Sequence, residues 1–94
     1  MKIVWTLFAL ADRDFIFDHI AEDNPEATAR VDHSIETHVD LLASSPELGR
    51  PGRVPDTREL VIARTPYIAA YEVQHAAVKI LRVLHGAQQW PPEF

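Results

Sequence analysis

Between Ser44 and Thr57 the chain reads SSPELGRPGRVPDT, and Pro46, Gly49, Pro51, Gly52 and Pro55 together forbid a regular element there. This stretch divides the sequence into two parts of different periodicity. Ahead of it, apolar residues recur at spacings of three and four, as on one face of a helix; behind it they fall into short β-branched and aromatic runs. Helical patterns thus lie mainly ahead of it and strand patterns mainly behind it, which points to an α+β fold. The stretch itself reads as a loop that carries Arg50 and Arg53 to the surface.

The first part opens with a short strand, Lys2 to Trp5. Thr6 is a good cap for a following helix, in which Phe8, Ala11, Phe15, Ile16 and Ile20 mark an expected buried face. That helix should stop near Glu22. Asn24 and Pro25 suit the cap and first turn of a second helix, with Glu26 at the positive end of its dipole. Ala27, Val31, Ile35, Val39 and Leu42 give this second helix an apolar stripe to about Ala43. With so short a connection the two helices must form an antiparallel hairpin.

The second part holds three strand-like runs: Glu59 to Ala63, Tyr67 to Val73 and Val78 to His85. The connections Arg64-Thr65-Pro66 and Gln74-His75-Ala76-Ala77 make them a meander, although the latter lacks an Asn-Gly turn. The expected architecture is β-α-α-β-β-β within one domain spanning residues 1–94. Its helical hairpin packs on one face of a small, mainly antiparallel sheet of about four strands. In the last strand, alternation places Val78, Ile80, Arg82 and Leu84 on one face and Lys79, Leu81, Val83 and His85 on the other.

Charge and residue usage exclude several functions. The net charge is −5, but it is uneven: Met1–Glu47 carries three basic and ten acidic residues, Leu48–Phe94 six basic and four acidic. The acidic helices would repel phosphate, which disfavours a helix-turn-helix reader. There is no cysteine, so no disulfide or thiolate metal site is available. His33 and His38 are five apart and miss the spacing of a helical metal pair, and His19 adds nothing by spacing. Ser44 and Ser45 lack a glycine elbow, and there is no phosphate loop or dinucleotide fingerprint, so no metal and no cofactor are expected. Thr6–Ala11 is too short to span a bilayer and lacks the features of a signal peptide, which makes a cytoplasmic location the expectation.

The element order, with PELGRPG at Pro46–Gly52, TREL at Thr57–Leu60, PYIAAYEV at Pro66–Val73 and ILRVLHGAQ at Ile80–Gln88, resembles the RelE/ParE superfamily of toxins from type II toxin–antitoxin modules. The closing His-Gly with an aromatic residue a few positions later is the most specific part. The resemblance implies a plasmid-stabilisation toxin, a cognate antitoxin that forms a hetero-oligomer with it, and one of two activities. RelE-like members cleave mRNA in the ribosome; ParE-like members inhibit DNA gyrase. Aligned on the Tyr67–Tyr71 strand, the two strand lysines of RelE-like nucleases become Glu59 and Val61, the strand arginine becomes Ile68, and the arginine beyond the last strand becomes Gln88. Losing cations that would stabilise a pentacovalent phosphate places the chain nearer the ParE-like branch. A decayed toxin that only binds antitoxin is the third option.

On this reading His85 is the candidate catalytic acid or base if the chain is a nuclease. Arg50, Arg53, Arg58 and Trp90 are candidates for target contact, with Trp90 alternatively a plug over the end of the core. Arg82 is expected to be structural, paired with a helix carboxylate such as Asp14 or Asp18.

Overall fold

A computed structural model describes residues 1–94. Strand β1 (Lys2–Trp5) leads into α1 (Leu7–Asp23) and α2 (Pro25–Asp40), followed by a short 3-10 turn over Leu41–Ala43. Four strands complete the chain: β2 (Arg50–Pro51), β3 (Arg58–Val61), β4 (Tyr67–Gln74) and β5 (Ala77–His85). The sheet order is β1-β5-β4-β3-β2, with β1 parallel to β5 and every other pair antiparallel.

Local chemistry explains the helical hairpin. The Thr6 hydroxyl accepts from the Ala9 amide and caps α1. Asn24 alone joins the helices: its amide donates to the Ile20 carbonyl at 2.8 Å, and its side chain accepts from the Ala27 amide, with Pro25 in the first turn of α2. Arg13 forks onto Asp32 and reaches Glu36, which ties the two helices together. Burial lowers the Arg13 pKa, but the bonds to Asp32 and Glu36 outweigh it, and the net shift is upward.

Both helices pack on one face of the sheet, as expected. Ala9 and Ile16 of α1 and Ile35 and Val39 of α2 share a core with Leu60, Tyr71, Val78 and Ile80. The α1 stripe differs from expectation. Its buried side is Ala9 and Ile16, whereas Leu7, Phe8 and Phe15 are 84%, 73% and 70% exposed. A helix apolar on nearly all sides gives periodicity no single face to select.

The sheet has five strands rather than about four. The extra strand is Arg50–Pro51, inside the segment expected to be irregular; it pairs Arg50 with Glu59 and Pro51 with Arg58. A proline is tolerated there because β2 is an edge strand. Gly49 is required by close approach: a Cβ at that position would lie 2.5 Å from the Tyr71 hydroxyl, which accepts from the Gly49 amide at 2.8 Å and donates to the Pro46 carbonyl at 2.6 Å. Burial pushes the Tyr71 hydroxyl pKa up.

The β4–β5 hairpin turns through His75 and Ala76, with φ of 49° and 64°. Two successive left-handed residues are the conformation of a type I′ turn, here built without asparagine or glycine.

Candidate functional site: a groove between α1 and the end of β5

Strand β1 flanks β5 only as far as Ile80, where the chain leaves the sheet to begin α1. Thr6 fastens this exit. Its amide and hydroxyl both donate to the Ile80 carbonyl, at 3.1 and 2.7 Å. Just beyond, Tyr71 pairs with Ile80 while Ala70 pairs with Arg82, so Leu81 is the extra residue of a β-bulge. The bulge reverses the alternation. Val83 joins Val78 and Ile80 in the helix-facing core, while Arg82 and Leu84 stand opposite Ala70 and Ile68. The strict alternation inferred for this strand therefore fails past Leu81.

Where β1 has departed, Asp12 of α1 occupies the open edge of β5. Its carboxylate accepts from the Val83 amide at 2.9 Å and from Arg82 Nε and Nη2 at 2.8 and 3.0 Å. The Arg82 pKa is raised mainly by the bond to Asp12, against the opposing pull of burial. The partner is thus Asp12 and neither Asp14 nor Asp18. Asp12 lies on the flank of α1 beside Ile16, whereas Asp14 and Asp18 are on the exposed side.

His85 ends β5, and its backbone is heavily used. Its amide donates to Gln88 Oε1 at 2.9 Å, and its carbonyl accepts from Trp90 Nε1 at 3.1 Å. Its Nδ1 accepts from the Ala87 amide at 3.1 Å, so the neutral ring carries its proton on Nε2. The ring can therefore offer a hydrogen bond, but its basic nitrogen is already engaged. Tyr67, directly opposite in β4, meets the His85 ring edge-on at 5.7 Å, and burial pushes its hydroxyl pKa up. A cleft of about 360 Å³ opens here, bordered by Asp12, Phe15, His19, Tyr67, His85 and Gln88. Phe15 stacks on His19 at 5.9 Å. Tyr67 and His19 were not singled out from sequence. The register of an antiparallel β4–β5 hairpin brings Tyr67 opposite His85, whereas no sequence signal places His19.

Arg82 also borders a smaller cleft of about 210 Å³, with Phe8, Leu81, Pro91 and Phe94. The two clefts adjoin at Arg82, and together they form a groove along α1 with an apolar wall of Phe8 and Phe15.

On the sheet face away from the helices, Glu59 gathers two of the expected contact residues. Its carboxylate is only 3% exposed and accepts from the Arg53 amide at 2.7 Å, Arg53 Nε at 3.1 Å and Arg50 Nη2 at 3.1 Å. Burial pushes the Glu59 pKa up, but these donors more than offset it, and the net shift is downward. The Arg53 guanidinium lies 3.8 Å over the Trp90 ring. Arg50, Arg53 and Trp90 are therefore brought together with Glu59. Arg58 is separated from them by strand alternation, and its guanidinium donates to the Gly49 carbonyl at 2.7 Å.

Residues 3–90 match the family described as the ParE toxin of the type II toxin-antitoxin system, parDE. The chain is 51% identical to toxin Y4kP of Sinorhizobium fredii over 90 residues, covering 96% of this chain and 93% of that protein. It is 39% identical to Toxin RelE2 of Caulobacter vibrioides over 87 residues, covering 93% and 97%. A solved structure described as the chromosomal ParDE TA system from P. aeruginosa superposes with a TM-score of 0.81 at 34% identity, covering 88% of this chain and 92% of that one.

Proposed function

Since the chain belongs to the ParE toxin family of type II toxin–antitoxin systems, we propose that it is a growth inhibitor that binds DNA gyrase and is neutralised by a cognate antitoxin in a hetero-oligomer. The observation that carries the gyrase reading is that Arg50, Arg53, Arg82 and His85 are already engaged within the protein. Arg82 is bound by Asp12, Arg50 and Arg53 are bound by Glu59, and His85 Nδ1 is held by the Ala87 amide. Cleaving RNA through its 2′-hydroxyl calls for a free base and for cations facing the phosphate. Groups already satisfied within the protein suit a binding surface better than a nuclease centre.

The groove supports the antitoxin reading. Phe8 and Phe15 offer an apolar wall to an amphipathic segment laid along α1. Strand addition at the end of β5 would have to displace Asp12 from the Val83 amide and Gln88 from the His85 amide. Docking in the groove meets no such obstacle.

A ribosome-dependent mRNA endoribonuclease is the second reading, favoured by the contact of Tyr67 with His85 in an open cleft. The two are separated by inducing the chain without antitoxin in the cytoplasm, then mapping transcript ends and gyrase–DNA complexes side by side. The expected outcome is trapped gyrase with intact transcripts, and undiminished toxicity of His85→Ala. Codon-phased mRNA cuts that disappear in His85→Ala would overturn it.

A further inference from the structure

Five of the seven arginines are committed within the fold. Arg13, Arg50, Arg53 and Arg82 are held by carboxylates, and Arg58 by a backbone carbonyl. The Arg30 and Arg64 side chains make neither an ion pair nor a hydrogen bond to protein. They come from different elements, α2 and the β3–β4 turn, yet both border one cleft of about 310 Å³. Ser34, His38 and Thr65 also line it, and no acidic residue does, in a chain where acidic residues outnumber basic ones by fourteen to nine.

The cleft is built on a fixed frame. Thr65 Oγ1 donates to the Ile62 carbonyl at 2.9 Å and accepts from the Tyr67 amide at 3.1 Å, which locks the turn. Arg64 is held there at φ 63°, a left-handed conformation that is strained for a non-glycine residue. The root of its side chain is thereby set before any ligand arrives. On the opposite wall, His38 Nδ1 lies 2.7 Å from the Ser34 carbonyl; a carbonyl only accepts, so Nδ1 carries the proton and Nε2 is left open. The Ser34 hydroxyl makes no bond within the protein.

We propose that this cleft binds a phosphate monoester, such as the terminal phosphate of a small metabolite or nucleotide. Two guanidinium forks match the two negative charges and three terminal oxygens of such a group, and the Ser34 hydroxyl can donate a further hydrogen bond to it. A single carboxylate would use only one fork. The site is independent of the gyrase and antitoxin reading, because it shares no residue with the groove.

The test uses the purified full chain, titrated with inorganic phosphate and with a nucleoside 5′-monophosphate, and read by thermal shift and by amide NMR. Saturable stabilisation is expected, with chemical-shift changes at Ser34, His38 and Thr65, and none with sodium chloride at equal ionic strength. Arg30→Gln, and Arg64→Asn, which tolerates the left-handed backbone, should each weaken binding about tenfold. The proposal is overturned if chloride matches phosphate, if the double variant keeps the affinity, or if the shifts map to Arg50 and Arg53. Tighter binding of a dicarboxylate than of phosphate would also sink the phosphate assignment.

Discussion

Glu59 offers a sharp test of the electrostatics on the sheet face opposite the helices. Its carboxylate is 3% exposed, while the Arg50 and Arg53 side chains that bind it are 55% and 40% exposed. The arginines regain water when released, so their share is that of a surface pair, ~0–1 kcal/mol each. The Arg53 amide, at 2.7 Å, is the contact that water replaces least well. Glu59→Gln keeps an oxygen for that amide but loses the charge and turns the other oxygen, which accepts from Arg50 and Arg53 Nη2, into a donor, with an expected cost of about 1 kcal/mol. Glu59→Ala removes every acceptor and leaves a cavity, and should cost about 2–3 kcal/mol, or roughly 10–20 °C in a domain of this size. Because the native Glu59 pKa lies below its ordinary value of 4.5, its stabilisation is complete above that pH and is lost as pH falls through the native value. Urea denaturation of the wild type and Glu59→Gln should thus differ most near neutrality and converge in acid. A difference that stays constant across that range, or one under about 0.5 kcal/mol at neutral pH, would refute the reasoning.

Tyr71→Phe leaves the Gly49 amide and the Pro46 carbonyl without their buried partner, and urea titration should show a loss of about 1–3 kcal/mol. Asp12→Ala removes the acceptor of the Val83 amide and of Arg82 and should cost about 2 kcal/mol, with faster amide exchange at Val83 as its specific sign. Phe8→Ser combined with Phe15→Ser should change stability by no more than about 0.5 kcal/mol per site, because both rings face solvent, yet weaken antitoxin binding more than tenfold in a calorimetric titration.

Capping residues and turn formers made the order of elements readable, since Thr6, Asn24 and Pro25 act through neighbours in sequence. What the sequence conceals depends on contacts between distant segments. The bulge at Leu81 lies between the Thr6 bond to Ile80 and the Asp12 bond to Val83, just where β1 leaves β5, and nothing in VKILRVLH signals these contacts. The buried face of α1 is not legible in the sequence because its apolar residues encircle the helix, and only docking decides that Ala9 and Ile16 go inside. Strand β2 hid behind Pro51, whose missing donor costs nothing at an edge. At the candidate site, His85, Arg53 and Trp90 could be named from sequence. That Glu59 would become a buried hub for two arginines, instead of only a missing lysine, required the β2–β3 pairing to be seen.

The His75–Ala76 turn bears on how the chain finds its fold. A two-residue turn without asparagine or glycine is a poor starting point for zipping a hairpin, so the longest pairing in the sheet must be registered by its strands, with the turn following. The steric burden of that turn sits at the opposite end of β4 and β5 from Tyr67 and His85. A substitution in the turn can therefore change the stability of this ribbon at one end while leaving the Tyr67–His85 contact at the other in place.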